Sequence, residues 1–122
     1  MPNLGRAALT PLLAVGLIAS GCGSSSGSGP HPAAPPGPTV RVVMKSLDFT
    51  PVNAGARVGQ RVMWTNNDSS PHNVTYVSGP RFTSSPRMPP GARFSIRLTA
   101  PGTIHYFCSL HPWMTATIVV SR

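Results

Sequence analysis

The sequence contains no glutamate, two aspartates and two cysteines, set against nine arginines and one lysine in 122 residues. So little acid leaves a formal charge of +8, and a surface of that sign suits nucleic acid, anionic lipid or an acidic protein. The arginines are spread along the chain rather than gathered in a run, which speaks against nucleic acid. Two cysteines far apart cannot build a disulfide framework, so Cys108 has no expected partner to bridge with. No stretch carries the period of a long amphipathic helix, which sets a helical fold aside. The longest apolar run, "ALTPLLAVGLIA", is too short to span a bilayer as a stable helix.

What is present begins with an address. Arg6 followed by that apolar run and by small residues reads as an export signal over residues 1–21. "IASGC" resembles the lipobox of bacterial lipoproteins, which implies a cut before Cys22 and acylation of its sulfur. Several acyl chains on Cys22 would make a lasting membrane anchor; a soluble periplasmic or secreted protein is the alternative. Residues 22–38 continue as "CGSSSGSGPHPAAPPGP", which holds no side chain able to build a core and reads as a linker. His31 lies in it and is assigned no role. Residues 39–122 are the expected folded domain, long enough for one modest core.

Within that domain apolar and polar residues alternate, the period of a half-buried strand. "TVRVVMK", "RVMWTN", "HNVTYV", "RFSIRL", "TIHYFC" and "TATIVV" each fit, with Val62 and Trp64 sharing one face, and Ile104, Tyr106 and Cys108 another. Phe49 and Trp64 read as core. Proline and glycine punctuate the gaps "TPVNAG", "NNDSSP", "SGPRFTSSPRMPPG" and "APG". Many short strands with turns between them predict an all-β, antiparallel sandwich or barrel. Asn66, Asn67 and Asp68 read as turn formers that cap local backbone.

The stretch "CSLHPWM" sets a thiol, an imidazole and a thioether three residues apart at Cys108, His111 and Met114. An unpaired thiol in an oxidising compartment is a liability unless something occupies it, and a metal would. Thiolate, thioether and imidazole together select copper or zinc over hard cations, and two His, one Cys and a weak Met are the pattern of an electron-transfer copper site. A second imidazole is needed. His31 is in the linker and His105 is on the strand face opposite Cys108, which leaves His72, after a proline that favours extended backbone.

"SPHNV" at 70–74 with "YFCSLHPWM" at 106–114 resembles the cupredoxins, the small blue copper proteins, most nearly the amicyanin and plastocyanin group, and the two-residue gap between His111 and Met114 is similar to amicyanin, whose loop is shorter than those of plastocyanin and pseudoazurin. Leu110 stands where that group commonly has proline. The resemblance covers all of 39–122 and implies a Greek-key β-sandwich binding one type 1 copper. It implies His72 as the buried ligand, Cys108 as the thiolate, His111 as the exposed ligand and Met114 as the long axial one. It also implies that the Asn73 side chain ties the two ligand loops together, with Ser109 as its partner. The implied activity is shuttling of single electrons, without catalysis, between extracytoplasmic redox proteins. These would dock transiently on a monomer over the edge of His111, among Leu110, Pro112 and Trp113. There is no His-x-His pair, which a multicopper oxidase would use. A copper carrier or storage protein is the alternative, disfavoured by the scattering of Met44, Met63 and Met88; a copper-free scaffold would leave Cys108 idle.

Overall fold

The computed structural model describes residues 37–122 and the isolated positions Gly5 and Pro11. The expectations for the export signal, for Cys22 and for His31 lie outside the described residues. From residue 40 onward the chain forms β1 (Val40–Lys45), β2 (Asp48–Thr50), β3 (Asn53–Arg57), β4 (Arg61–Asn66), β5 (Thr75–Ser78), β6 (Arg93–Arg97), β7 (Gly102–Cys108) and β8 (His111–Ser121). These make two four-stranded sheets in the orders β2-β1-β4-β6 and β3-β8-β7-β5.

The alternation decides what faces inward. Val42 and Met44 on β1, Phe49 on β2 and Val62 and Trp64 on β4 are buried from one sheet; Ala54 and Ala56 on β3, Ile104 and Tyr106 on β7 and Ala116, Ile118 and Val120 on β8 meet them from the other. Tyr106 spans the gap edge-on, 4.8 Å from the Phe49 ring centroid and 5.5 Å from that of Trp64. Each large apolar side chain buried this way stabilises the fold by roughly 1.5–3 kcal/mol.

The sandwich matches expectation, but its sheets are mixed rather than wholly antiparallel. β1 pairs with β4, and β3 with β8, in parallel. The reason is the path of the chain: β2 returns along β1 through a tight hairpin, then β3 joins the opposite sheet before β4 comes back beside β1. A parallel pair needs a crossover of this kind, since a tight hairpin can join only antiparallel strands. The hairpin turn is Ser46-Leu47, both with positive φ (56° and 60°). This is the twist a two-residue hairpin needs, supplied here without the glycine that normally announces it. The stretch "TPVNAG", read as a gap, instead starts β3, whose buried residues are alanines and so carry little hydrophobic signal.

Gly79 follows β5 with φ of 91°, and a Cβ placed there would run into the Thr103 carbonyl. Glycine is required at this position, both for the left-handed backbone and for the close approach of the chain to β7.

Candidate metal centre

Two short segments meet at one end of the sandwich. The first is the connection from β4 to β5. Asn66, fully buried at the end of β4, donates from Nδ2 to the carbonyls of Ser70 (2.9 Å) and Met88 (3.0 Å) and accepts the Asp68 N–H at 2.9 Å. This folds "NNDSSP" into a compact turn, in keeping with its turn-forming sequence. His72 then pairs with Met88 in both directions, N–H to carbonyl at 3.1 Å and carbonyl to N–H at 2.7 Å. The backbone of the buried imidazole is thereby pinned before β5 begins at Thr75.

The second segment is the β7–β8 hairpin. Cys108 ends β7, and His111 faces it in register across Ser109 and Leu110, with a register shift at Phe107/Cys108. Met114, three residues along β8, turns inward and is buried. The tie between the segments is Asn73: its Nδ2 donates to Ser109 Oγ at 2.6 Å and its Oδ1 accepts the Ser109 N–H at 2.8 Å. The Thr75 hydroxyl holds the same Oδ1 at 3.1 Å.

The outcome is three donor atoms facing one point. His72 Nδ1 and His111 Nδ1 are 3.1 Å apart, and Cys108 Sγ lies 3.8 Å from the first and 3.6 Å from the second. Metal bonds of about 2.0 Å to nitrogen and about 2.3 Å to sulfur, opened by roughly 100–120°, place donors about 3.1–3.7 Å apart. The three donors therefore have the spacing of a set around one ion, and with Met114 beside them the group fits a type 1 copper site. His72 and Cys108 are fully buried, Cys108 as a free thiol, while His111 is half-exposed.

Asp68 does more than turn the chain. Its Oδ2 lies 3.0 Å from His72 Nε2 and also accepts the Leu47 N–H at 2.8 Å. A carboxylate only accepts, so the imidazole proton sits on Nε2 and Nδ1 presents its lone pair to the other donors. The Leu47 amide, and after it the His72 ring, hold the Asp68 carboxyl below its usual value near 3.8. The signal for this role was a carboxylate four residues before a histidine in a chain with only one other acid.

Around the half-exposed ring of His111 stand Trp113, 66% exposed with its ring centroid 5.4 Å away, and the exposed Leu110 and Pro112. His105 is exposed on the outer face of β7, away from Cys108. Deeper in the core, burial pushes the Tyr106 phenol up to about 12, opposed by the nearby Trp64 indole, and neither its hydroxyl nor the indole nitrogen makes a hydrogen bond of good geometry among the described residues.

Known proteins resemble this chain in sequence and fold. The cupredoxin-like domain family matches residues 12–120. Amicyanin-alpha of Methylorubrum extorquens is 34% identical over 90 residues, which span 71% of this chain and 75% of that protein. The structure of a reduced amicyanin variant superposes with a TM-score of 0.64 at 29% identity, covering 68% of this chain and 82% of that one. A copper-containing nitrite reductase from Thermus scotoductus gives 0.65 at 30% identity, covering 70% of this chain but only 23% of the enzyme, so the likeness there is to part of a larger protein. A family match over most of the length, with an amicyanin sharing a third of the aligned residues, places the protein: the chain belongs to the cupredoxin-like family and stands close to amicyanin within it.

Proposed function

We propose that the protein is a monomeric blue copper electron carrier that works outside the cytoplasm and exchanges single electrons with redox proteins docking over His111. The observation that carries this reading is the closed donor set: His72, Cys108 and His111 converge within hydrogen-bonding distances of one another, with Met114 buried alongside. Copper held there supplies a one-electron Cu(I)/Cu(II) couple. His72, Cys108 and His111, together with Met114, would hold the ion.

The chain's own contribution is rigidity. Met88 fixes the His72 backbone, Asp68 fixes its ring, and Asn73 locks the hairpin of Cys108 to the loop of His72 through Ser109. Donors held on both sides rearrange little when charge at the centre changes, which keeps electron exchange fast. The half-exposed His111 is the doorway, and Leu110, Pro112 and Trp113 form an apolar rim suited to the small, short-lived interfaces of redox partners. An export signal and acylation of Cys22 would hold the carrier at the outer face of the membrane; a soluble periplasmic protein is the alternative.

A copper carrier or storage protein would want exposed sulfur for handing the ion on, whereas Met44 and Met88 are buried in the core. One experiment separates the readings. Reconstitution with Cu(II) under air is expected to give an intense blue colour, a narrow parallel hyperfine splitting and a reversible voltammetric wave. A pale protein with no wave refutes the electron-carrier reading, and ready transfer of Cu(I) to a chelator favours the carrier of copper. Radiolabelled palmitate tests Cys22; an unlabelled protein found wholly in the medium removes the anchor.

A further inference from the structure

The outer face of the β2-β1-β4-β6 sheet carries charge of one sign that the metal centre does not use. With Val42, Met44, Phe49, Val62, Trp64, Phe94 and Ile96 turned to the core, the alternation puts Arg41, Lys45, Arg61, Arg93 and Arg97 outward, all five exposed. These are half of the ten cationic side chains in the sequence. One acid, Asp48, shares the face, on the edge strand and in register with Lys45. Among the described residues the arginines have no carboxylate partner: the one ion pair is that of Asp68 with His72.

The register makes the crowding deliberate. Arg61 and Arg97 stand directly opposite each other on β4 and β6, a like-charge pairing that weakens a sheet. Neither finds an anion; Arg61 leans to Ser95 Oγ at 3.4 Å and Arg97 donates to the Gly59 carbonyl at 2.9 Å. The five cations stand on the three adjacent strands β1, β4 and β6; with strands about 4.8 Å apart and rising about 3.3 Å per residue, the register confines them to a patch roughly 10 by 20 Å. The face is a sheet surface with two half-buried apolar residues, Val43 and Met63, between the charges. Such a surface matches a spread of negative charge better than a single ligand.

We infer that this sheet face docks on an anionic phospholipid surface. Charge complementarity requires an extended anion, and a bilayer is flat as the face is. His111 and Trp113 belong to β8 of the other sheet, so a domain lying on this face keeps its electron doorway uncovered.

The test uses the full chain carrying Cys22→Ser, so that no acyl chain contributes, with binding to neutral phosphatidylcholine vesicles subtracted as the share of the leader. Vesicles of about one-third phosphatidylglycerol are expected to bind it at ~0.1 M salt and release it at ~1 M, where the screening length falls to about 3 Å. At roughly five-fold per cation near such a surface, the variant R41Q/R61Q/R93Q/R97Q is expected to partition at least ~100-fold more weakly. R57Q/R81Q/R87Q/R122Q, with the same net charge, should lose far less. The corresponding four arginine-to-lysine changes should retain binding, and far-ultraviolet dichroism and the blue band confirm that each variant folds. Equal losses in the two glutamine variants would mean that net charge alone acts and would overturn the assignment. So would absence of any anionic preference, or salt-sensitive binding to polyglutamate but not to vesicles, which would assign the face to an acidic protein.

Discussion

Replacing Asp68 separates a turn former from a residue that positions a metal ligand. Its Oδ2 alone serves two donors, His72 Nε2 at 3.0 Å and Leu47 N–H at 2.8 Å. Asp68→Ala removes both acceptor and charge, freeing the His72 ring to rotate and to place its proton on Nδ1, where the lone pair is needed. Loss of a partner that orients a metal-bound histidine costs about 10–100-fold in metal affinity, and the upper part of that range is expected because, among the described residues, His72 has no other side-chain partner outside the donor set. Asp68→Asn keeps an acceptor oxygen but not the charge, so a loss near ~10-fold is expected, with a raised reduction potential because a negative charge that favours the oxidised ion has gone. Competition with a chromophoric Cu(II) chelator measures affinity, and film voltammetry measures potential. Wild-type affinity and potential in both variants would refute the positioning role. The pH dependence has a definite sign. The folded-state value of Asp68 is depressed by the Leu47 amide and then by His72, so its stabilisation of the apoprotein is present above the ordinary value near 3.8 and is lost as pH falls through the depressed value. In Asp68→Asn that acid loss should be smaller, as read by urea melts of the apoprotein across acidic pH.

Other outcomes follow from the same structure. Trp113→Ala should slow electron exchange with the physiological partner while leaving the blue band unchanged, since Trp113 is exposed beside His111 and supplies none of the donor atoms; equal rates would remove it from the docking rim. Tyr106→Phe deletes a buried hydroxyl that faces the Trp64 indole without a bond of good geometry to any described residue, so urea melts should show stability changed by no more than about 1 kcal/mol. In the wild type the Tyr106 phenolate band should be absent until pH approaches about 12, as read by ultraviolet titration. Gly79→Ala should cost roughly 1–3 kcal/mol, because a left-handed backbone and a clash with the Thr103 carbonyl coincide there; an unchanged melting temperature would contradict the close approach.

Strand identity was legible because period-two alternation is a local property: Trp64, Ile104, Tyr106 and Ile118 declare which way they face from their neighbours alone. Most of the centre was legible too, since Cys108, His111 and Met114 fall within one hairpin and its following strand, and His72 was the histidine left over. Alternation says which face a residue occupies but not which strand lies beside it. The parallel pairing of β1 with β4 therefore stayed hidden, and so did β3, whose alanines give no amplitude to the pattern. Asp68 reaches Leu47 across 21 residues, and Arg61 meets Arg97 across two strands; both contacts exist only because crossovers bring distant segments into register. Composition and local spacing determined the donor chemistry and the layers, while the tertiary structure decided what surrounds a ligand and which charges share a surface, because non-local contacts are set by chain path and not by the residues at either end.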